Sequence, residues 1–306
     1  MEHKQALMDQ LRRLKDQRRA VILAHNYQRP EVQDAADFVG DSLGLSRQAA
    51  ASDARVVLFC GVHFMAETAS ILCPDKTVLM PAASAGCPLA NTLDARELAE
   101  EVPKLDDPTV ITYVNSTAEV KAASHMCCTS ANAVQVLRAA DPDRPVFFGP
   151  DRNLGTYAAR EAGRRGVSIW QGSCPTHDRI RASDIEEARR DHPGALVVVH
   201  PECTLDVIDR ADHVASTSGM LAFCGASDAK EFIIGTEVGM LHPLRKANPD
   251  KTFHAATPMA DCPDMKLATL PRMLRALEEM SGEIQVPEAI RTRALGAITK
   301  MVEILP

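Results

Sequence analysis

Apolar residues along this chain fall into short unbroken runs set between longer amphipathic or alanine-rich stretches. AVILA (20–24), RVVLFC (55–60), TVITY (109–113), PVFF (145–148), ALVVV (195–199) and EFII (231–234) lack the apolar–polar alternation of a half-exposed strand. That pattern predicts parallel strands covered on both faces. DFVG (37–40), TVLM (77–80), VSIW (167–170) and TFHA (252–255) read as shorter strands. Between them the spacing predicts helices. Residues 2–19 carry Leu7, Met8, Leu11 and Leu14 on one face. Others start near Pro30, at Asp41-Ser42, near 62, near Thr117, at Thr129-Ser130, near 153 and at Ser216-Thr217, residue types suited to first turns and caps. Strands alternating with helices specify parallel sheets joined by right-handed crossovers. Two closing helices, 267–281 and 287–304, are expected to pack beside the N-terminal helix.

This order recurs three times, and three Cys-Pro dipeptides keep time with it. Cys87-Pro88, Cys174-Pro175 and Cys262-Pro263 stand 87 and 88 residues apart, while the other six cysteines show no such interval. The period is too long for a solenoid and suits a small α/β domain used three times. The expected fold class is therefore α/β: three similar α/β/α domains with short parallel sheets, in pseudo-threefold arrangement around a central site. The expected divisions are 1–86 with 265–306, then 87–173, then 174–264. Superposing the copies by the cysteine interval maps His25 onto Tyr113 and His200, Tyr27 onto Asn115 and Glu202, and Asp41-Ser42 onto Thr129-Ser130 and Ser216-Thr217. All lie just beyond the carboxyl ends of strands, where open α/β sheets bind ligands.

Composition adds bounds. Of 306 residues, 45% are apolar and 25% charged, an ordinary globular balance, and the length suggests several domains. A net charge of −7 disfavours general affinity for nucleic acid or an anionic membrane. No apolar run approaches a membrane span, and the charged start is unlike a secretory signal, so a cytoplasmic location is expected. Nine cysteines in such a chain point to metal or buried thiols before disulfides.

The candidate chemistry lies in the cysteines and the polar loops. No C-x-x-C pair offers the usual zinc spacing, whereas one thiol from each repeat suits a shared metal centre. A [4Fe–4S] cluster normally takes four thiolates; three leave one iron open as a Lewis acid. Core packing is the expectation for Cys60, Cys73 and Cys224, while Cys127, Cys128 and Cys203 lie near possible pocket loops. Ser42, Thr129, Ser130, Ser216 and Thr217, each a simple cap if taken singly, together fit anion binding at helix N-termini. His25, His200 and Glu202 read as acid/base or substrate-orienting groups, and His177, three residues after Cys174, as a neighbour of metal or substrate.

AHNYQ (24–28), VGDS (39–42), GCPLA (86–90), YVNS (113–116), CTSANA (128–133), CPTH (174–177), HPEC (200–203), STSGM (216–220) and GTEVG (235–239) carry a resemblance over nearly the full length. Together with Cys262-Pro263 they resemble the quinolinate synthase family, the NadA-type enzymes of bacterial NAD biosynthesis. The resemblance implies a transferase- or lyase-type reaction. Iminoaspartate and dihydroxyacetone phosphate would condense to quinolinate, phosphate and two waters at an oxygen-sensitive [4Fe–4S] cluster. It implies Cys87, Cys174 and Cys262 as cluster ligands. It implies His25, Ser42, Ser130, His200, Ser216 and Thr217 as holders of carboxylates and phosphate, with Tyr113, Asn115 and Glu202 also touching substrate. Tyr27, Tyr113, Asn115 and Glu202 would form the catalytic group, with His177 close by. Iminoaspartate is unstable, so an aspartate oxidase or dehydrogenase is expected upstream. Some members carry a C-x-x-C-x-x-C run near the last ligand; here Cys262-Pro263-Asp264-Met265 stands instead, so that thiol switch is absent. The competing readings are two other three-cysteine cluster enzymes, the isoprenoid-pathway reductase and the diphthamide-synthesis type, and a zinc-stabilised anion-binding protein. HPEC and AHNYQ disfavour both enzymes.

Overall fold

The computed structural model describes residues 2–305. Three units of identical plan follow one another. The first runs α1 (Glu2–Arg18), β1 (Ala20–His25), α2 (Pro30–Ala35), β2 (Phe38–Gly40), α3 (Ser42–Ala51), β3 (Val56–Cys60), α4 (His63–Leu72) and β4 (Thr77–Leu79). The second runs α5 (Ala95–Glu101), β5 (Thr109–Tyr113), α6 (Ala118–Ala122), β6 (Met126–Cys128), α7 (Ala133–Ala139), β7 (Val146–Gly149), α8 (Arg152–Ala162) and β8 (Val167–Ile169). The third runs α9 (Ala182–Asp191), β9 (Leu196–Val199), α10 (Leu205–Ile208), β10 (His213–Val214), α11 (Thr217–Ala226), β11 (Glu231–Gly235), α12 (Leu241–Ala247) and β12 (Thr252–Ala255). α13 (Leu270–Glu279) and α14 (Glu288–Glu303) close the chain.

Each unit forms a four-stranded sheet of one order, β2-β1-β3-β4, β6-β5-β7-β8 and β10-β9-β11-β12, and every pairing is parallel. The unbroken apolar runs now have their reason. Along β1, Val21 and Leu23 face one core while Ile22 and Ala24 face another, so none of these four positions can be polar. One core is continuous across the inner faces of all three sheets: Leu23, Ile111, Phe148, Val198 and Phe232 belong to it. The outer faces are covered separately, by α1 and α13, by α5, and by α9 with α10. Every strand thus ends at the shared side of the molecule, where three sets of loops meet. Among the described residues no helix is long and apolar enough to cross a membrane.

Two sequence expectations change. The helix placed at Thr129-Ser130 begins instead at Ala133: the Asn132 side chain accepts from the Thr129 N–H at 2.8 Å, and residues 129–132 form a turn. Ser130 therefore stands in a loop rather than at a cap. Of the closing helices, α13 does lie along α1, but α14 packs on α6 and β6 of the second unit and on α3 and α4 of the first. Its Ala294, Ala297, Ile298 and Met301 enter the common core, so it joins two units. Asn132 ties it in, donating to the Met301 and Ile304 carbonyls at 2.9 Å each. Between the two helices, Gly282 accepts from the Met80 N–H at 2.8 Å and Ile284 donates to Val78 at 2.9 Å. That segment covers the open edge of β4, which would otherwise offer unpaired backbone groups.

Candidate active site

A cavity of about 170 Å³ opens where the three units meet. Cys87, Cys174 and Cys262 all line it, as do His25, Tyr27, Ser42, Tyr113, Asn115, Ser130, His177, His200, Glu202 and Thr217. Of the sequence-derived site residues, Ser216 alone is elsewhere: it lines an adjoining chamber that shares Asp41 and Ser130 with the first. Its hydroxyl caps α11, accepting from the Gly219 N–H at 3.2 Å. Asp41 does the same for α3, accepting from Gly44 at 2.8 Å.

The three Cys-Pro turns are alike in detail. The backbone N–H three residues on, of Ala90, His177 and Met265, approaches the sulfur of Cys87, Cys174 and Cys262 respectively. The Thr176 side chain lies beside Cys262. Burial raises all three thiols, Cys87 to about 12, and nearby anionic groups push each further. Three thiols so placed ionise together only with a strongly cationic group between them, and the N–H donors are what coordinated thiolates accept. The donor set thus fits a thiolate-bound metal centre fed by one ligand from each unit. Cys174 Sγ, His177 and Glu202 also lie within 4.8 Å of one another, a spacing that a single divalent ion could use.

Two histidines are set by one local device. His25 Nδ1 accepts from the Tyr27 N–H at 3.2 Å, and His200 Nδ1 accepts from the Glu202 N–H at 3.3 Å. With Nδ1 accepting, the proton of each neutral ring sits on Nε2 and is free to donate. Burial lowers both histidines to about 3, partly offset by the Glu202 charge, so each ring stays neutral at pH 7. His200 Nε2 reaches Ser130 Oγ at 3.1 Å.

A chain of hydrogen bonds crosses the cavity wall. The Tyr27 hydroxyl meets Thr236 Oγ1 at 2.6 Å, and Thr236 Oγ1 meets His177 Nε2 at 2.9 Å. His177 Nδ1 meets Glu202 Oε2 at 2.7 Å and lies 3.2 Å from Cys174 Sγ. The Tyr113 hydroxyl also faces the Glu202 carboxylate. Burial would raise Glu202, but His177, His200 and Tyr113 outweigh it and bring the carboxyl down to about 2. Burial and the same carboxylate hold both tyrosines well above the usual phenol value, so they remain protonated. Asn115 Oδ1 is buried without a hydrogen-bond partner, an acceptor left for a ligand.

Two residues here were not singled out in the sequence. Thr236, 1% exposed, links Tyr27 to His177 from behind the cavity lining. Glu237, fully buried, accepts from the Cys262 N–H at 3.0 Å and from Lys266 Nζ at 2.7 Å, holding the third cysteine turn. Both follow the end of β11, the neighbour of the strand that carries His200; the carboxyl-end rule applied to that second strand would have found them. Cys203, by contrast, is a core thiol, donating to the Gly235 carbonyl at 3.4 Å, and Cys127 and Cys128 are buried in the common core. Arg179 is the one arginine or lysine lining the cavity among the described residues, and it is exposed at the mouth.

Comparison with known proteins agrees with this geometry. The quinolinate synthetase A protein (NadA) family profile matches residues 9–303. The quinolinate synthase of Thermodesulfovibrio yellowstonii is 53% identical over 298 residues, covering 97% of this chain and 98% of its own length. That of Desulforudis audaxviator is 53% identical over 302 residues, 99% of each chain, and that of Methanosarcina barkeri 48% over 298 residues, 97% of each. The match spans all three units and every residue of the cavity, and the chain belongs to the NadA family of quinolinate synthases.

Proposed function

We infer that the cavity condenses iminoaspartate with dihydroxyacetone phosphate to quinolinate, phosphate and two waters, a reaction with no net oxidation. The observation that carries the reading is the convergence of three equivalent Cys-Pro turns beside a hydrogen-bonded acid/base chain. Cys87, Cys174 and Cys262 would hold a [4Fe–4S] cluster, which when bound supplies a Lewis-acidic iron with an open position.

The chain's own residues do the rest. The Nε2–H groups of His25 and His200 and the hydroxyls of Ser42, Ser130 and Thr217 donate to the carboxylates and phosphate of the substrates. Thr217 is itself oriented by Asn26 Nδ2 at 2.8 Å. Ser216 contributes from the adjoining chamber, through the helix end that it caps. Asn115 and Tyr113 orient the condensing carbon skeleton. When His177 Nδ1–H points at Glu202, Nε2 accepts from Thr236, and the Thr236 oxygen accepts from Tyr27. A proton leaving the Tyr27 phenol then has a continuous path to His177, and Glu202 stabilises the imidazolium formed. This couples the phenol to the isomerisation and the dehydrations, which need a proton removed from carbon and another delivered to a departing hydroxyl. Enclosure by three units keeps water from the imine. The supply of iminoaspartate calls for an aspartate-oxidising enzyme upstream.

A mononuclear ion on Cys174, His177 and Glu202 is the second reading, favoured by their mutual spacing. It leaves the matching turns at Cys87 and Cys262 without a purpose. Anaerobic purification with iron, sulfide and zinc analysis, followed by an assay for quinolinate from the two substrates, separates the two. About four irons and four sulfides per chain with quinolinate formed supports the cluster reading. One zinc, no sulfide and no quinolinate overturns it.

A further inference from the structure

We propose that the third unit carries a second metal site, for a divalent zinc-class cation, built from His192, Glu231 and His254. These residues come from three elements: His192 caps the C-terminus of α9, Glu231 opens β11 and His254 lies within β12. His192 Nδ1 stands 2.9 Å from Glu231 Oε1, and His254 Nε2 stands 2.8 Å from the same oxygen. All three donor atoms lie within 4.8 Å of one another. The imidazole rings are stacked, with centroids 3.5 Å apart and planes 20° apart.

Two imidazole nitrogens directed at one carboxylate oxygen are a costly arrangement for a simple ion pair, because a second histidinium would face the first at stacking distance. A single cation shared by both nitrogens and the carboxylate would remove that conflict. A tetrahedral zinc with bonds near 2 Å places its donors about 3.3 Å apart, so each nitrogen moves away from the carboxylate oxygen by roughly half an ångström, and the two stacked rings splay to about 5 Å between centroids, a movement open to side chains that reach solvent. Two neutral imidazoles and one carboxylate, with a fourth position open to water, form a borderline donor set that suits zinc. The site also lies at the C-terminus of a ten-residue helix, where the backbone carbonyls favour positive charge. The side chains are 26–38% exposed, so an ion can enter from solvent.

The site is separate from the cavity. Glu231 is the first residue of β11 and Thr236 follows its last, which sets the two roughly 16 Å apart along the strand. Its effect is to clamp α9 to the edge of the third sheet, and it stands independently of the reaction proposed above.

The test is zinc uptake by the anaerobically purified holoprotein, with zinc, iron and sulfide counted after desalting and the unfolding temperature measured with and without zinc. The expected result is one retained zinc per chain at micromolar affinity, unchanged iron and sulfide, and a higher unfolding temperature. His254→Ala and Glu231→Gln each weaken zinc binding by at least roughly ten-fold and abolish the thermal shift, with iron and sulfide unchanged. Equal zinc retention by the parent and both variants, or none by the parent, overturns the proposal.

Discussion

Thr236→Val probes the hydrogen-bonded chain at its least obvious link. Valine keeps the shape and removes the hydroxyl that Tyr27 meets at 2.6 Å and His177 at 2.9 Å. Both partners are buried, 8% and 1% exposed, so water replaces neither bond. An unsatisfied buried polar group costs about 1–3 kcal/mol. Tyr27 can turn toward His177 Nε2, already 3.5 Å away, which recovers part of that. The expected loss of stability is therefore about 1–2 kcal/mol, well short of unfolding. The kinetic effect is larger, because proton transfer from Tyr27 loses its bridge. General acid–base groups contribute about 10²–10⁴-fold, and the remaining direct contact points to the lower end, about 10² in kcat. Thr236 does not line the cavity, so KM should hold. Quinolinate formation is followed anaerobically, with iron, sulfide and the visible spectrum as controls, and Thr236→Ser should retain activity within a few-fold. A Thr236→Val enzyme with a normal cluster and kcat within three-fold of the parent would refute the chain as a proton path.

Other expectations follow from the same geometry. Cys87→Ala removes one of three thiols and should abolish cluster assembly while leaving the fold, read by circular dichroism, in place; full iron and sulfide content would contradict the assignment. Acid should destabilise the protein early. His25 and His200 are held near 3 against 6.5 when unfolded, so the unfolded chain binds more protons between those values and stability falls as pH drops through that window. From pH 7 to 5 each histidine costs about 2 kcal/mol, and replacing one by Gln should flatten the pH dependence of thermal unfolding by that amount. Gly282 has φ +77°, and a Cβ there would meet the Met80 carbonyl oxygen at 2.3 Å. Gly282→Ala should cost at least about 2 kcal/mol in denaturant unfolding, with the active-site spectrum unaltered in the folded fraction.

The sequence by itself determined most of this protein. Unbroken apolar runs announced strands buried on both faces, because a sheet layered between helices leaves no face for polar side chains. The 87- and 88-residue intervals announced a thrice-used unit, and strand-end position picked out His25, Tyr113 and His200. What lay beyond reach was contact between residues distant in the chain. Thr-Ser favours a cap at 129–130, yet the Asn132 side chain takes the Thr129 N–H and the helix starts only at Ala133. α14 has an amphipathic pattern that says it must bury a face, but not that the face would be wedged between two units. Thr236 reads as one more strand-end hydroxyl until folding sets it between a tyrosine 209 residues earlier and a histidine 59 residues earlier. Periodicity reports which side of an element is covered, since burial is a local demand on composition; which partner covers it, and which hydroxyl completes a proton path, is fixed only when separate units close on one another.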